Sequence, residues 1–122
     1  MRKFLVLAAA ALAGGCAYNA PPPEEPAVTG QSYLDAIQSI CDVDRLAGIS
    51  PDDDPLSAGA KRNAWIQQHV ENPDSIYLRT MLSVKGASDQ ATALREEAKG
   101  VGLARCALAD EIEKSGAGGL SP

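Results

Sequence analysis

The sequence predicts an all-α domain, a small bundle of four to five short helices closed by one disulfide. Three observations carry that expectation. Alanine and leucine are plentiful while β-branched residues are few, and the aromatics amount to one Phe, one Trp and three Tyr, a composition suited to helices packed closely through small side chains. Apolar residues recur at spacings of three and four. No alternating strand pattern is long enough to oppose the helical reading. The bundle is expected over residues 31–114, with 115–122, SGAGGLSP, as a frayed, flexible tail.

Ser32 followed by Asp35 resembles a capping box with a shortened acid, and Leu34, Ile37 and Cys41 then form a stripe widened by Tyr33 and Ile40. A first helix is predicted from Ser32 to Ala47, stopped by Gly48. Asp54 as N-cap and Pro55 at the first helical position open a second, which runs through Trp65, Ile66 and Val70 to about Glu71. Asn72 and Pro73 repeat the device. The third helix carries Tyr77, Leu78, Met81 and Leu82 on its apolar face and closes at Gly86. Ser88 caps a fourth, with Ala91, Leu94 and Ala98 inward, which Gly100–Gly102 interrupts. A last helix from Ala104 to Lys114 aligns Cys106, Ala109 and Ile112.

The first thirty residues differ in kind. Arg2 and Lys3 form a positive start and Phe4 to Ala13 an apolar run too short to span a bilayer permanently, the pattern of an export signal over residues 1–15. Leu12, Ala13, Gly14, Gly15 and Cys16 follow, and this stretch resembles the lipobox of bacterial lipoproteins, with the leucine one place further from the cysteine than in the commonest form. The resemblance implies cleavage before Cys16 and a diacylglyceryl thioether on its sulfur, usually with an acylated amine. Two or three acyl chains anchor stably where one does not, since each buried methylene contributes about 0.8 kcal/mol. Ala17 after the cysteine, in place of an inner-membrane-retaining aspartate, implies the periplasmic side of the outer membrane. The competing reading is ordinary secretory cleavage after Ala17, giving a periplasmic or secreted protein without lipid.

Residues 16–30 then read as the lipidated cysteine and a tether. Pro21, Pro22, Pro23 and Pro26 forbid helix and favour extended geometry, so that Ala17 to Gly30 reach about 43 Å at roughly 3.1 Å per residue. With Arg2 and Lys3 removed, nine basic residues face sixteen acidic ones, which repels nucleic-acid phosphates and excludes nucleic acid as an expected partner.

Three cysteines are an odd number for an oxidising compartment. If lipid occupies Cys16, Cys41 and Cys106 remain, and a bundle that returns its last helix beside its first brings them together as a structural disulfide. No C-x-x-C suggests redox chemistry.

Catalytic and cofactor signals are sparse. His69 is the only histidine, has no second ligand four residues away and sits near a helix end where the dipole favours it. Asp42, Asp44, Asp52, Asp53 and Asp54 are the densest acidic stretch, but the glycine and closing glutamate of a calcium loop are missing, and Arg45 stands ready to neutralise a neighbour. Glu96 with Glu97, and Glu111 with Glu113, read as solvated faces rather than acid–base pairs. No catalytic residue, metal or cofactor is expected. The expected role is a noncatalytic structural or interaction module, held to the envelope membrane by its lipid and contacting another envelope protein. A ligand carrier or small enzyme with a site between helices, using His69, Tyr77 or the aspartate loop, is the rival.

Overall fold

The computed structural model describes residues 21–22, 30–116 and 119–120. Among these the chain forms six helices and no strand: α1 Tyr33–Cys41, α2 Val43–Leu46, α3 Pro55–His69, α4 Pro73–Ser83, α5 Ala87–Gly100 and α6 Ala107–Ser115. The expected all-α bundle and its disulfide are both present. Cys41 at the end of α1 and Cys106 just before α6 are bonded, with Cα atoms 4.7 Å apart.

Local signals set most helix ends. Ser32 Oγ accepts from the Asp35 amide at 3.0 Å and donates to the Asp35 carboxylate at 2.7 Å. Asp54 accepts from the Ser57 amide with Pro55 behind it, and Asn72 accepts from the amides of Asp74 and Ser75 with Pro73 behind it. Each bond satisfies a donor that the helix geometry leaves orphaned. Asp54→Ala is therefore expected to cost about 1 kcal/mol, read as a shift in the urea midpoint with unchanged slope. Gly48 and Gly102 take positive φ values of 66° and 87° where helices end, conformations that glycine alone adopts without penalty.

The core is aliphatic. Ile37 and Ile40 of α1, Val43 of α2, Ile66 of α3, Leu82 of α4, Leu94 of α5 and Leu108 and Ile112 of α6 are all fully buried. The α5–α6 hairpin is the most extensive pairing, α1 lies against α4, α5 and α6, and α2 packs on α3. Gln31 fixes where the chain enters the body. Its Oε1 accepts from the amides of Glu71 and Asn72, its Nε2 donates to the His69 carbonyl, and its own carbonyl accepts from Asn72 Nδ2.

Several expectations are corrected. The first helix is not continuous to Ala47: at Asp42, φ −98° and ψ 9° break it into α1 and α2. Aspartate competes for local hydrogen bonds inside a helix, and the break lets Cys41 and Val43 both reach the core. Leu34 is exposed, and Ala36 takes the buried position beside Ile37. Gly86, not Ser88, is the N-cap of α5, and α4 has already stopped at Ser83. The last helix starts at Ala107 rather than Ala104, because Cys106 is extended at its N-cap.

The third predicted helix faces differently from expectation. On α4 the buried residues are Ser75 and Leu82, with Leu78 half-buried, whereas Tyr77 and Met81 are 67% and 45% exposed. Two adjacent apolar stripes run along this helix, and α4 meets α1 and α5 through only one of them.

Gly119 and Leu120 also depart from the frayed tail expected there. Gly116, with φ 65°, ends α6, and Leu120 is only 3% exposed within the core cluster. The reason is a buried glutamine, Gln90 of α5, whose side-chain amide meets the backbone of Gly119 and Leu120. The expected leader, Cys16 and residues 17–20 and 23–29 of the expected tether lie outside the described residues, as do 117, 118, 121 and 122 of the expected tail.

Candidate functional site

The structure leaves the sequence candidates in separate places. His69, the last residue of α3, is exposed and stacks on Trp65 with ring centroids 4.3 Å apart and planes within 12°. Its Nδ1 lies 2.8 Å from the Trp65 carbonyl one turn back, which can only accept, so that nitrogen carries the proton of this bond. Tyr77 stands in solvent on α4.

The acidic stretch is consumed internally. Asp54 caps α3, and Asp53 accepts from Lys61 Nζ at 2.7 Å and from the Ser50 amide. The Lys61 bond is the main reason that the Asp53 carboxyl is held below its ordinary range. Asp42 pairs with Arg45 at 3.3 Å, as the sequence suggested. Asp44 turns inward and forms a two-pronged ion pair with Arg62, Nε to Oδ1 at 2.7 Å and Nη2 to Oδ2 at 2.8 Å. Among the described residues, no group of three or more His, Cys, Asp or Glu side chains converges as metal ligands.

Two clefts carry charge. One, of about 280 Å³, lies between α2, the loop after it, α3 and α6, and its lining includes Asp44, Asp53, Arg62, Glu111 and Lys114. The other, of about 470 Å³, lies beside the disulfide and is lined by Arg95, Lys99, Arg105, Asp110 and Cys106. In it Arg95 bridges Asp110 and Glu113, and Arg105 donates to the second oxygen of Asp110. The Arg95 bond is the leading cause that lowers the Asp110 carboxyl; burial opposes it, and the Arg105 bond adds to the lowering. A carboxylate held between two guanidiniums stays ionised and is a poor base near neutrality.

A pH dependence follows from that depression. A carboxyl whose folded-state pKa lies below its unfolded one stabilises the fold above the unfolded value and loses that contribution as pH falls through the folded value. Stability is thus expected to decline on acidification below the usual carboxylate range. Arg95→Gln is expected to flatten that acid limb, as measured by melting temperature against pH.

Tyr33 is likewise tied up. Burial first, then its hydrogen bond to Glu97 at 2.7 Å, raises its hydroxyl well above the ordinary tyrosine value. The polar side chains of the clefts thus brace one helix against another.

Among the described residues, four of the seven large apolar side chains left exposed lie on α4 or at its C-cap. Tyr77, Met81 and Val84 follow one another at steps of four and three and so share a face, and Val84 is 84% exposed; Ile76 lies to one side of it. This face begins one turn beyond the Gln31–Asn72 junction, so it starts close to where the chain enters the body.

Compared with family models, curated proteins and solved structures, the chain matches none. Among the described residues no helix is long and apolar enough to cross a membrane.

Sequence reading missed the residues that do most of this bracing. Arg62 stands in the series Ala58, Arg62, Ile66, Val70, and Gln90 in the series Gln90, Leu94, Ala98. In each, a polar residue occupies a step of four within a buried stripe. That spacing was the available signal.

Proposed function

We propose that this chain is a bacterial envelope lipoprotein, anchored in the outer membrane through acylated Cys16, whose helical body is a noncatalytic interaction or structural module. The lipobox-like stretch from Leu12 to Cys16 carries the reading. Its support from the body is a matter of sulfur. The Cys41–Cys106 bond uses two of the three cysteines, so Cys16 is the one that a thioether would consume, and a structural disulfide suits an exported protein.

The interaction half of the reading rests on the α4 face, where Tyr77, Met81 and Val84 present apolar surface near the chain's point of entry. Aromatic and methionine side chains are favoured at protein contacts. A 43 Å reach, about the extended length of residues 17–30, would let that face meet a partner clear of the lipid headgroups.

The test is mass spectrometry of the N-terminus of protein purified from a Gram-negative host, with detergent phase partitioning of wild type and Cys16→Ser. The expected results are a first residue Cys16 carrying two or three acyl chains, and loss of detergent partitioning in the variant. An N-terminal fragment beginning at unmodified Tyr18 would overturn the anchor and favour a secreted protein.

A further inference from the structure

Gln90 is 1% exposed, yet its side-chain amide is fully engaged. Oε1 accepts from the Gly119 amide at 3.1 Å and from the Leu120 amide at 3.3 Å, while Nε2 donates to the Lys85 carbonyl at 3.1 Å and to the Leu120 carbonyl at 3.4 Å. A glutamine amide carries the same donor and acceptor groups as a peptide unit. Here one side-chain amide gathers two successive backbone N–H groups and a carbonyl, which bends the chain around it. Arg62 adds a bond from Nη1 to the Gly119 carbonyl at 3.4 Å while its other nitrogens hold Asp44.

The slot also discriminates. A Cβ on residue 119 would lie 2.5 Å from Ile112 Cδ1 and crowd Cγ1 as well. Ile112 is itself 1% exposed and packed in the core cluster. The next residue, Leu120, buries its side chain in the core cluster. Gly116 has already ended α6 with a left-handed turn, so Gly119 and Leu120 are a separate piece of chain laid against Gln90, Arg62 and Ile112.

We propose that Gln90, Arg62 and Ile112 form a peptide-binding slot, self-occupied by Gly119–Leu120, that accepts a partner peptide in which glycine is followed by leucine. Backbone bonding supplies attachment and the glycine and leucine positions supply selectivity. The tethered segment competes at an effective concentration of about a millimolar, so a partner must displace it. This inference is independent of the lipid anchor.

The experiment uses the full chain with Leu120→Ser, which empties the apolar end of the slot, and titrates it with acetyl-Gly-Gly-Leu-Ser-amide while the side-chain amide resonances of Gln90 are followed by NMR. Saturable shifts at Gln90 are expected, with binding at least tenfold weaker to the peptide carrying alanine immediately before leucine, since overpacking of this kind costs about a factor of ten or more. A folded variant showing no shift at Gln90 with several millimolar peptide would overturn the proposal, as would equal binding of the alanine peptide. Wild-type chain that dimerises with rising concentration would put a second copy in the slot and overturn the assignment to a partner. Should Leu120→Ser lose its helices, hydrogen exchange on the wild type decides. Gly119 and Leu120 amides exchanging at least tenfold faster than the core amide of Leu94 support a segment that leaves while the bundle stands, and exchange at the Leu94 rate refutes it.

Discussion

Reducing the Cys41–Cys106 bond is expected to lower the melting temperature by about 15–30 °C. The bond spans 65 residues, for which loop entropy in the unfolded chain gives about 4 kcal/mol of stabilisation. A domain of this size loses roughly 4–8 °C for each kcal/mol. Both sulfurs are buried, between the end of α1 and the start of α6, so the bond staples the first helix to the last. Circular-dichroism melts with and without reductant measure the effect. Cys41→Ala with Cys106→Ala should reproduce it, which separates loss of the cross-link from burial of a lone thiol. Cys41→Ser alone adds a buried hydroxyl and leaves Cys106 open to alkylation on unfolding. A melting temperature unchanged while two thiols become titratable would remove the staple from any account of stability.

The second large effect is expected at Asp44 and Arg62. Arg62 is 8% exposed and its guanidinium is satisfied on one side by both carboxylate oxygens of Asp44. Removing one partner of a buried pair strands the other, at a cost of about 3–5 kcal/mol when burial is complete. Asp44 is partly open to water, so Asp44→Asn should cost about 2–3 kcal/mol after that screening. Arg62→Met introduced beside it should recover part of the loss, because a flexible apolar chain of similar length fills the space without a charge. Urea unfolding of the two single variants and the double variant gives a coupling of at least about 1 kcal/mol if the pair acts as a unit. Additive losses would mean that packing of the arginine stem, not the ion pair, carries the site.

Much of the fold was legible because short-range chemistry decides it. Asp54 with Pro55 and Asn72 with Pro73 mark helix starts by their own side chains, and the glycines at 48 and 100–102 mark stops. Those devices act within four residues. What was hidden depends on distant neighbours. Periodicity shows that α4 has apolar stripes, but only the placement of α1 and α5 determines that Leu82 goes in and Met81 stays out. The single leucine in the glycine-rich end looked like tail because its partner, Gln90, lies 30 residues away and is polar. Arg62 hid for the same reason, its carboxylate standing across a loop. Buried polar residues are where composition misleads, since hydrophobic spacing locates them and charge argues them outward. The proposed anchor, Cys16, was legible only as a motif, and it lies outside the described residues.

The disulfide has one more consequence. The loops at 48–54, 70–72 and 84–86 all fall inside the 65-residue ring that it closes. A protease that nicks any of them cannot separate the pieces, which stay covalently joined until a reductant arrives. Digestion damage would therefore be invisible on a non-reducing gel by mass loss, and the clipped halves would remain in register to re-form their shared interior.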